Sequence, residues 1–202
     1  MGLRTHERSV YTTYIGACMI LYFRFLINLI WHLLRGKSID PHKPLDISFR
    51  VLPTDIDFNL HMNNARYASF MDIAIFQFMV QTHIFHHMRA LGGVPVKRTT
   101  FFRFRKPLKI FNKFTLRIEI ICIDEDAVYW DYKFIKDGFV FCHSIEKSGI
   151  YIPGKGMISS REFFHSFPEV KDFPSPPAHI LKHMETETEM KIMMSKHHHV
   201  DK

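Results

Sequence analysis

Cysteine is scarce in this chain of 202 residues: Cys18, Cys122 and Cys142 are the whole supply. An odd number without any C-x-x-C pair argues against a disulfide framework and against a thiolate zinc site. Asn28, Asn59, Asn63, Asn64 and Asn112 all lack Ser or Thr two residues on, so the chain has no N-glycosylation acceptor. Both absences point to a folded part that faces a reducing compartment. Internal repeats are absent too. Acidic residues are the minority, 20 against 27 Lys and Arg, for a formal net charge of +7. That excess calls for an anionic partner: a nucleic acid, an acidic membrane face or a phosphorylated small molecule. What the chain has in quantity is aromatic, with 20 Phe and 14% aromatics overall. Hydrophobic residues at 47% and charged residues at 23% exclude global disorder. The length suits one domain with attachments, at about 150 residues per domain.

The attachment at the N-terminus is apolar. Between Val10 and Leu34 the only charged residue is Arg24, and a bilayer-spanning helix needs about 20 mostly apolar residues. Tyr11, Tyr14 and Trp31 lie where interfacial aromatics sit. Arg24, Asn28, His32 and Arg35 form one helical stripe, which suits a tilted or in-plane second half. Residues 1–36 therefore read as a membrane anchor. A cleaved signal peptide or an amphipathic helix packed on its own domain are the alternatives. Residues 37–44 read as a connector, broken by Pro41 and Pro44.

Residues 45–158 read as the folded domain. Ile47, Phe49 and Val51 alternate with Ser48 and Arg50 as a half-buried strand. From Asn64 to about Met88 there is no Gly or Pro, and apolar residues occupy nearly every face. That spacing predicts one long buried helix, ended by Gly92-Gly93. Strands follow over Val94 to Arg105, Lys113 to Ile123, Val128 to Ile135 and Phe139 to Ile152, with a hairpin turn at Asp137-Gly138. Residues 159–202 read as a polar, helical tail: a short helix near Ser159 to Phe164, a proline-rich linker, and a helix over His179 to Lys196.

The segment richest in chemistry is Thr54-Asp55-Ile56-Asp57-Phe58-Asn59-Leu60-His61-Met62-Asn63-Asn64-Ala65-Arg66-Tyr67. If its backbone is extended, Asp57, Asn59, His61 and Asn63 point one way, and Phe58, Leu60 and Met62 the other. A helix N-terminus follows, whose free N–H groups favour negative charge. A carboxylate to activate water, an imidazole to relay or orient, and amides to hold an oxyanion suit acyl-group hydrolysis. The plainer reading is a turn in which Asn63 or Asn64 caps the helix.

At these residues the chain resembles the hotdog-fold acyl thioesterases, in which an antiparallel sheet wraps one long helix. The pattern Asp-x-Asp-x-x-x-His-x-Asn-Asn-Ala-x-Tyr runs from Asp55 to Tyr67, and Asp57-x-Asn59-x-His61 resembles the active loop of plant acyl-carrier-protein thioesterases. Arg50-Val51-Leu52-Pro53, His61 to Tyr67, Asp137-Gly138-Phe139-Val140 and the apolar N-terminus are similar to the thioesterase superfamily member six group of animal proteins. The resemblance implies an α+β hotdog fold and a homodimer. It implies hydrolysis of a fatty acyl-CoA thioester at a membrane, without metal or redox cofactor. The endoplasmic reticulum is the first expectation for that membrane, and secretion the alternative if the N-terminus is cleaved.

By the same resemblance Asp57 is the catalytic carboxylate, Asn59 and His61 its polar partners, and Asn64, Ala65, Arg66 and Tyr67 the helix end facing the thioester carbonyl. The Phe-rich interior would take the acyl chain. Three departures stand out. Leu60 replaces a Gly common before the His in bacterial members. No acidic residue occurs at Ile121-Cys122, near where the plant enzymes carry one. Asp72 falls where some relatives carry Glu, and is expected to bind Arg66 or cap the site. These departures keep a second reading open: a hotdog protein that binds acyl chains or scaffolds lipid-metabolism partners without turnover.

The remaining residues have simpler readings. Cys122 and Cys142 are expected as buried small hydrophobes. His83, His86 and His87 suit a helix C-terminus better than a metal site. The terminal histidines, His197 to His199, read as a frayed tail. Lys97, Arg98, Arg103, Arg105, Lys106 and Lys109 form a basic strand and turn. It is either a charge-protected sheet edge or a seat for coenzyme A phosphates or anionic headgroups. No nucleic-acid motif accompanies it.

Overall fold

Period-two alternation organises most of the domain into one antiparallel sheet. The computed structural model describes residues 38–167 and 173–196, with positions 26, 27 and 30. The anchor segment otherwise lies outside the described residues, as does the histidine tail. Among the described residues no helix is long and apolar enough to cross a membrane. The order is β1 (Leu45–Arg50), α1 (Asn64–Gln81), α2 (Ile84–Ala90), β2 (Val94–Phe104), β3 (Lys113–Ile123), β4 (Val128–Lys136), β5 (Phe139–Ile152), β6 (Gly156–Ile158), α3 (Ser160–His165) and α4 (Ala178–Lys196). The strands line up as β1-β3-β4-β5-β2. β6 pairs with Ile150–Ile152 of β5, past the point where β4 ends.

One face of the sheet and α1 close the core. Phe114, Leu116, Ile118 and Ile120 of β3 join Trp130, Tyr132 and Phe134 of β4 against Tyr67, Phe70, Met71, Ala74 and Phe78 of α1. Each large side chain buried this way contributes about 1.5–3 kcal/mol. The interior is filled by its own rings: Phe49, Phe70, Phe114 and Phe134 pack with centroids 4.9–5.8 Å apart. The expected acyl compartment inside that Phe cluster is therefore occupied by protein. The other face holds a smaller core, where Ile180 of α4 is buried against Cys122, Ala127, Tyr129 and Ile145. Farther along α4, His183 packs on Phe101 at 4.3 Å, and Glu187 accepts from Lys147 at 2.5 Å and Thr99 at 3.3 Å.

The helix expected as one piece to Met88 is broken. The Thr82 hydroxyl bonds back to the Phe78 carbonyl at 2.8 Å, and His83 turns left-handed at φ 62°. Hydroxyl back-bonding of this kind weakens a helix locally. The Gln81 carbonyl then accepts from Ile39 N–H at 3.1 Å, so the connector caps the end of α1. The Asp137-Gly138 turn has φ 50° and 78°, both positive, as a two-residue hairpin of this type requires.

Candidate active site

The loop before α1 is a tight hairpin, not an extended strand. Ile56 bridges Met62, Asp57 N–H donates to the His61 carbonyl at 2.9 Å, and Leu60 N–H donates to the Asp57 carbonyl at 3.0 Å. The cause is local. Asp57 Oδ1 accepts from Asn59 N–H at 2.9 Å, and this side-chain turn bends the backbone. Alternation therefore fails over 57–61, and the four polar side chains do not form one row. Asp57 and His61 are half-buried, Asn59 is exposed, and Phe58 and Leu60 project into solvent. Leu60 has φ 59°. That conformation is cheapest for glycine, and Leu60 adopts it with a Cβ.

Two further attachments hold the hairpin. His61 bridges Lys109, and Met62 N–H donates to the Leu108 carbonyl at 2.7 Å. Asp55, the first Asp of the pattern, is 2% exposed. It accepts from Leu52 N–H at 2.8 Å and lies 4.0 Å from Arg66 Nε. Arg66 also donates to the Thr54 carbonyl at 3.1 Å. The two Asp residues thus divide the work: Asp55 fixes the loop, and Asp57 stands at its turn. The sequence reading gave Asp55 no role. Its signal was a carboxylate three residues after Leu52, within reach of that residue's free amide.

At the helix end Asn63 is the cap. Its Oδ1 accepts from Ala65 N–H and its carbonyl from Arg66 N–H, each at 2.9 Å. Two amides expected to face a developing oxyanion are therefore already satisfied. Tyr67 points into the core, where its ring meets Phe104 at 5.0 Å and Phe134 at 4.8 Å. Burial pushes its phenol up to about 12.

The basic strand does not form one surface. Lys97 turns inward and bonds Asp72 at 2.8 Å and Glu146 at 3.0 Å. Asp72 therefore does not bind Arg66, since six residues along a helix is not the same face. Arg98 donates to the Asp126 carbonyl at 3.3 Å. Lys106 lies 5.0 Å over the Phe139 ring. Arg103 belongs to the opposite face of the sheet, since it pairs with His143, two residues from Ile145, and Arg105 lines the same cavity beside it.

Two buried carboxylates escaped the sequence reading. Glu146 is 1% exposed on the α1 side, and burial raises its carboxyl above the ordinary value, with Lys97 opposing. Asp131 is 7% exposed on the other side. Burial would raise it, but its bonds to His143 and Lys133 outweigh burial and hold it low. Each is a lone acid inside a mostly apolar strand, which was the available signal. Cys122 and Cys142 are buried, and burial pushes both thiols up to about 12. Among the described residues no group of three His, Cys, Asp or Glu is placed to hold a metal.

A sheet in the order β1-β3-β4-β5-β2 around a long helix, with an Asp-x-Asp hairpin at the helix entrance, defines a hotdog protein of the thioesterase type. The chain belongs to the thioesterase-like superfamily, whose family model matches residues 51–183. It is 32% identical over 124 residues to Protein THEM6 of Xenopus laevis, covering 55% of this chain and 60% of that one. Against Protein THEM6 of Danio rerio the identity is 39% over 124 residues, covering 55% and 61%. The chain thus spans about three fifths of the length of these relatives. A probable thioesterase of Saccharomyces cerevisiae is 28% identical over 165 residues, covering 70% and 71%.

Among solved structures, the YbaW probable thioesterase of Escherichia coli superposes with a TM-score of 0.59 at 15% identity, covering 63% of this chain and 99% of that one. The DHNA-CoA thioesterase of Staphylococcus aureus gives 0.56 at 9% identity, covering 72% and 95%. At such identities these likenesses speak for the fold.

Proposed function

We propose that this protein hydrolyses fatty acyl-CoA thioesters at a membrane surface, with Asp57 activating water and His61 and Asn59 orienting it. The observation that carries the reading is the Asp57 hairpin, bridged at Ile56–Met62 and seated directly before the Asn63 cap of α1. Superfamily membership supports an acyl-thioester substrate. The apolar stretch 10–34 supports membrane attachment, with the endoplasmic reticulum as the proposed site. A homodimer is part of this reading, and the chemistry needs no metal or redox cofactor.

A second reading is favoured by specific bonds. Asp57 Oδ1 is engaged by the Asn59 amide, and the Ala65 and Arg66 amides by Asn63. A hotdog protein with those groups committed holds acyl chains at the membrane without turnover. Thiol release from acyl-CoAs of graded chain length separates the two. Asp57→Asn should lower release about 10²-fold or more while the melting temperature is kept. Tight acyl-CoA binding without any release would replace the hydrolytic reading with the second.

A further inference from the structure

The sheet face away from α1 carries a polar centre that the hydrolytic reading does not use. Arg103 of β2 stands opposite His143 of β5, which stands opposite Lys133 of β4. Residues in register share a face, so three basic side chains form a row across the strands. Beneath that row Asp131, with its side chain 9% exposed, accepts from both His143 Nε2 and Lys133 Nζ. Lys133 also reaches Glu119 at 3.0 Å. Arg103, Arg105, Lys133, His143 and Val140 line a cavity of about 350 Å³.

The two arginines differ from the other charged residues here. Neither guanidinium has a hydrogen-bond or ion-pair partner among the described residues, while Lys133 and His143 are fixed by Asp131. Three formal positive charges face two negative ones, Asp131 and Glu119, so the cavity keeps an excess of positive charge before His143 is counted. Guanidinium forks match anions with several oxygens, and donors converging from β2 (Arg103), β4 (Lys133) and β5 (His143) suit a tetrahedral phosphate better than a planar carboxylate.

We propose that this cavity is a phosphate-binding site for a phosphomonoester or diphosphate carried on a larger molecule. Arg103 and Arg105 supply the forks, Lys133 and His143 close the far side, and Asp131 holds those two in place. Two sources share this chemistry: the nucleotide end of a coenzyme A thioester and the headgroup of an anionic phospholipid. The nucleotide source rests on the hydrolytic reading above; the phosphate site itself does not.

The test uses the full chain in detergent with three probes: coenzyme A, dephospho-coenzyme A, and vesicles of phosphatidylcholine with or without phosphatidic acid. Arg103→Gln/Arg105→Gln should weaken binding of one probe about tenfold or more, since charge-assisted bonds are lost. Its melting temperature should hold, because neither side chain has a partner to lose among the described residues. Arg103→Lys/Arg105→Lys, which keeps charge but not forks, should fall between. Loss on coenzyme A names the nucleotide, and loss on phosphatidic acid vesicles names the headgroup. Binding unchanged in the double Gln variant, or absent for every probe at millimolar concentration, overturns the proposal. Thiol release is measured separately. A chain that binds through Arg103 and Arg105 but releases no thiol keeps this site and loses the hydrolytic reading.

Discussion

Leu60 combines two unfavourable choices at one residue. Its backbone is left-handed at φ 59°, and its side chain is 64% exposed. A left-handed conformation costs a residue with a Cβ about 1 kcal/mol or more. Burial returns little of that here. Leu60→Gly removes the strain, less the extra chain entropy that glycine brings to the unfolded state. Stability should therefore hold or rise by up to about 1 kcal/mol, or about 2–4 °C in melting temperature. A fall of several degrees would show that Leu60 is covered in the assembled protein. Phe58 beside it is fully exposed, so the tip of the Asp57 hairpin presents two large apolar side chains at once. A solvated loop has no use for that arrangement, whereas a loop that meets another surface does.

At the scale of elements, α1 is tied to the sheet by charge as well as by packing. Asp72 of α1, Lys97 of β2 and Glu146 of β5 form a line from the surface to the interior. Burial is the main influence on Glu146 and raises its carboxyl, with Lys97 pulling back. The folded state then holds this proton more tightly than the unfolded chain. The resulting stability is full below the ordinary glutamate value and is lost as pH rises through the raised folded one. Glu146→Gln should thus melt higher than wild type at neutral pH and equally well in acid, where both side chains are neutral. A lower neutral melting temperature would mean that the Lys97 pair outweighs burial. The sequence made much of this level readable. Alternation over Lys113 to Ile123 and Phe139 to Ile152 matches the strand limits, because one face of each meets α1 or α4. The Asp137-Gly138 hairpin was legible because its chemistry is local. The break at Thr82-His83 was not, since a connector amide from Ile39 caps it from outside the helix. The Asp57 hairpin misled for a different reason. Its polar and apolar residues alternate as a strand would, but an Asp side chain can bond its own backbone two residues on, and that bond decided the shape. The partners of Glu146 and Asp131 depend on strand register, which pattern alone does not supply.

At the scale of the molecule, the sheet formed by the described residues has two edges, and they are unlike. β1 ends one side and carries Asp46, which is paired with Arg117 at 2.7 Å, together with Ser48 and Arg50. β2 ends the other and, among the described residues, pairs with β5 alone. Its first half is defended: Pro95 lacks an amide hydrogen, Lys97 and Arg98 carry charge, and the register shifts between Lys97 and Thr99. Those are devices that stop one edge from pairing with another. Its second half, Thr99 to Phe104, has none of them apart from Arg103, and it is rich in threonine and phenylalanine. An open apolar edge of that length either aggregates or pairs with a defined partner, and symmetric pairing of β2 with a second copy closes both edges at once. Such a dimer would form one continuous sheet. Single cysteines placed in turn at Thr99, Thr100, Phe101 and Phe102 test it. Antiparallel two-fold pairing brings only one or two neighbouring positions within the 4.4–6.8 Å Cα separation that a disulfide needs. Oxidation should therefore give a covalent dimer at those positions and none elsewhere, with the wild-type chain as the control for Cys18. Uniformly weak crosslinking at all four positions in a folded chain would leave β2 unpaired, and the exposed Phe58 and Leu60 would then need a partner other than a second copy.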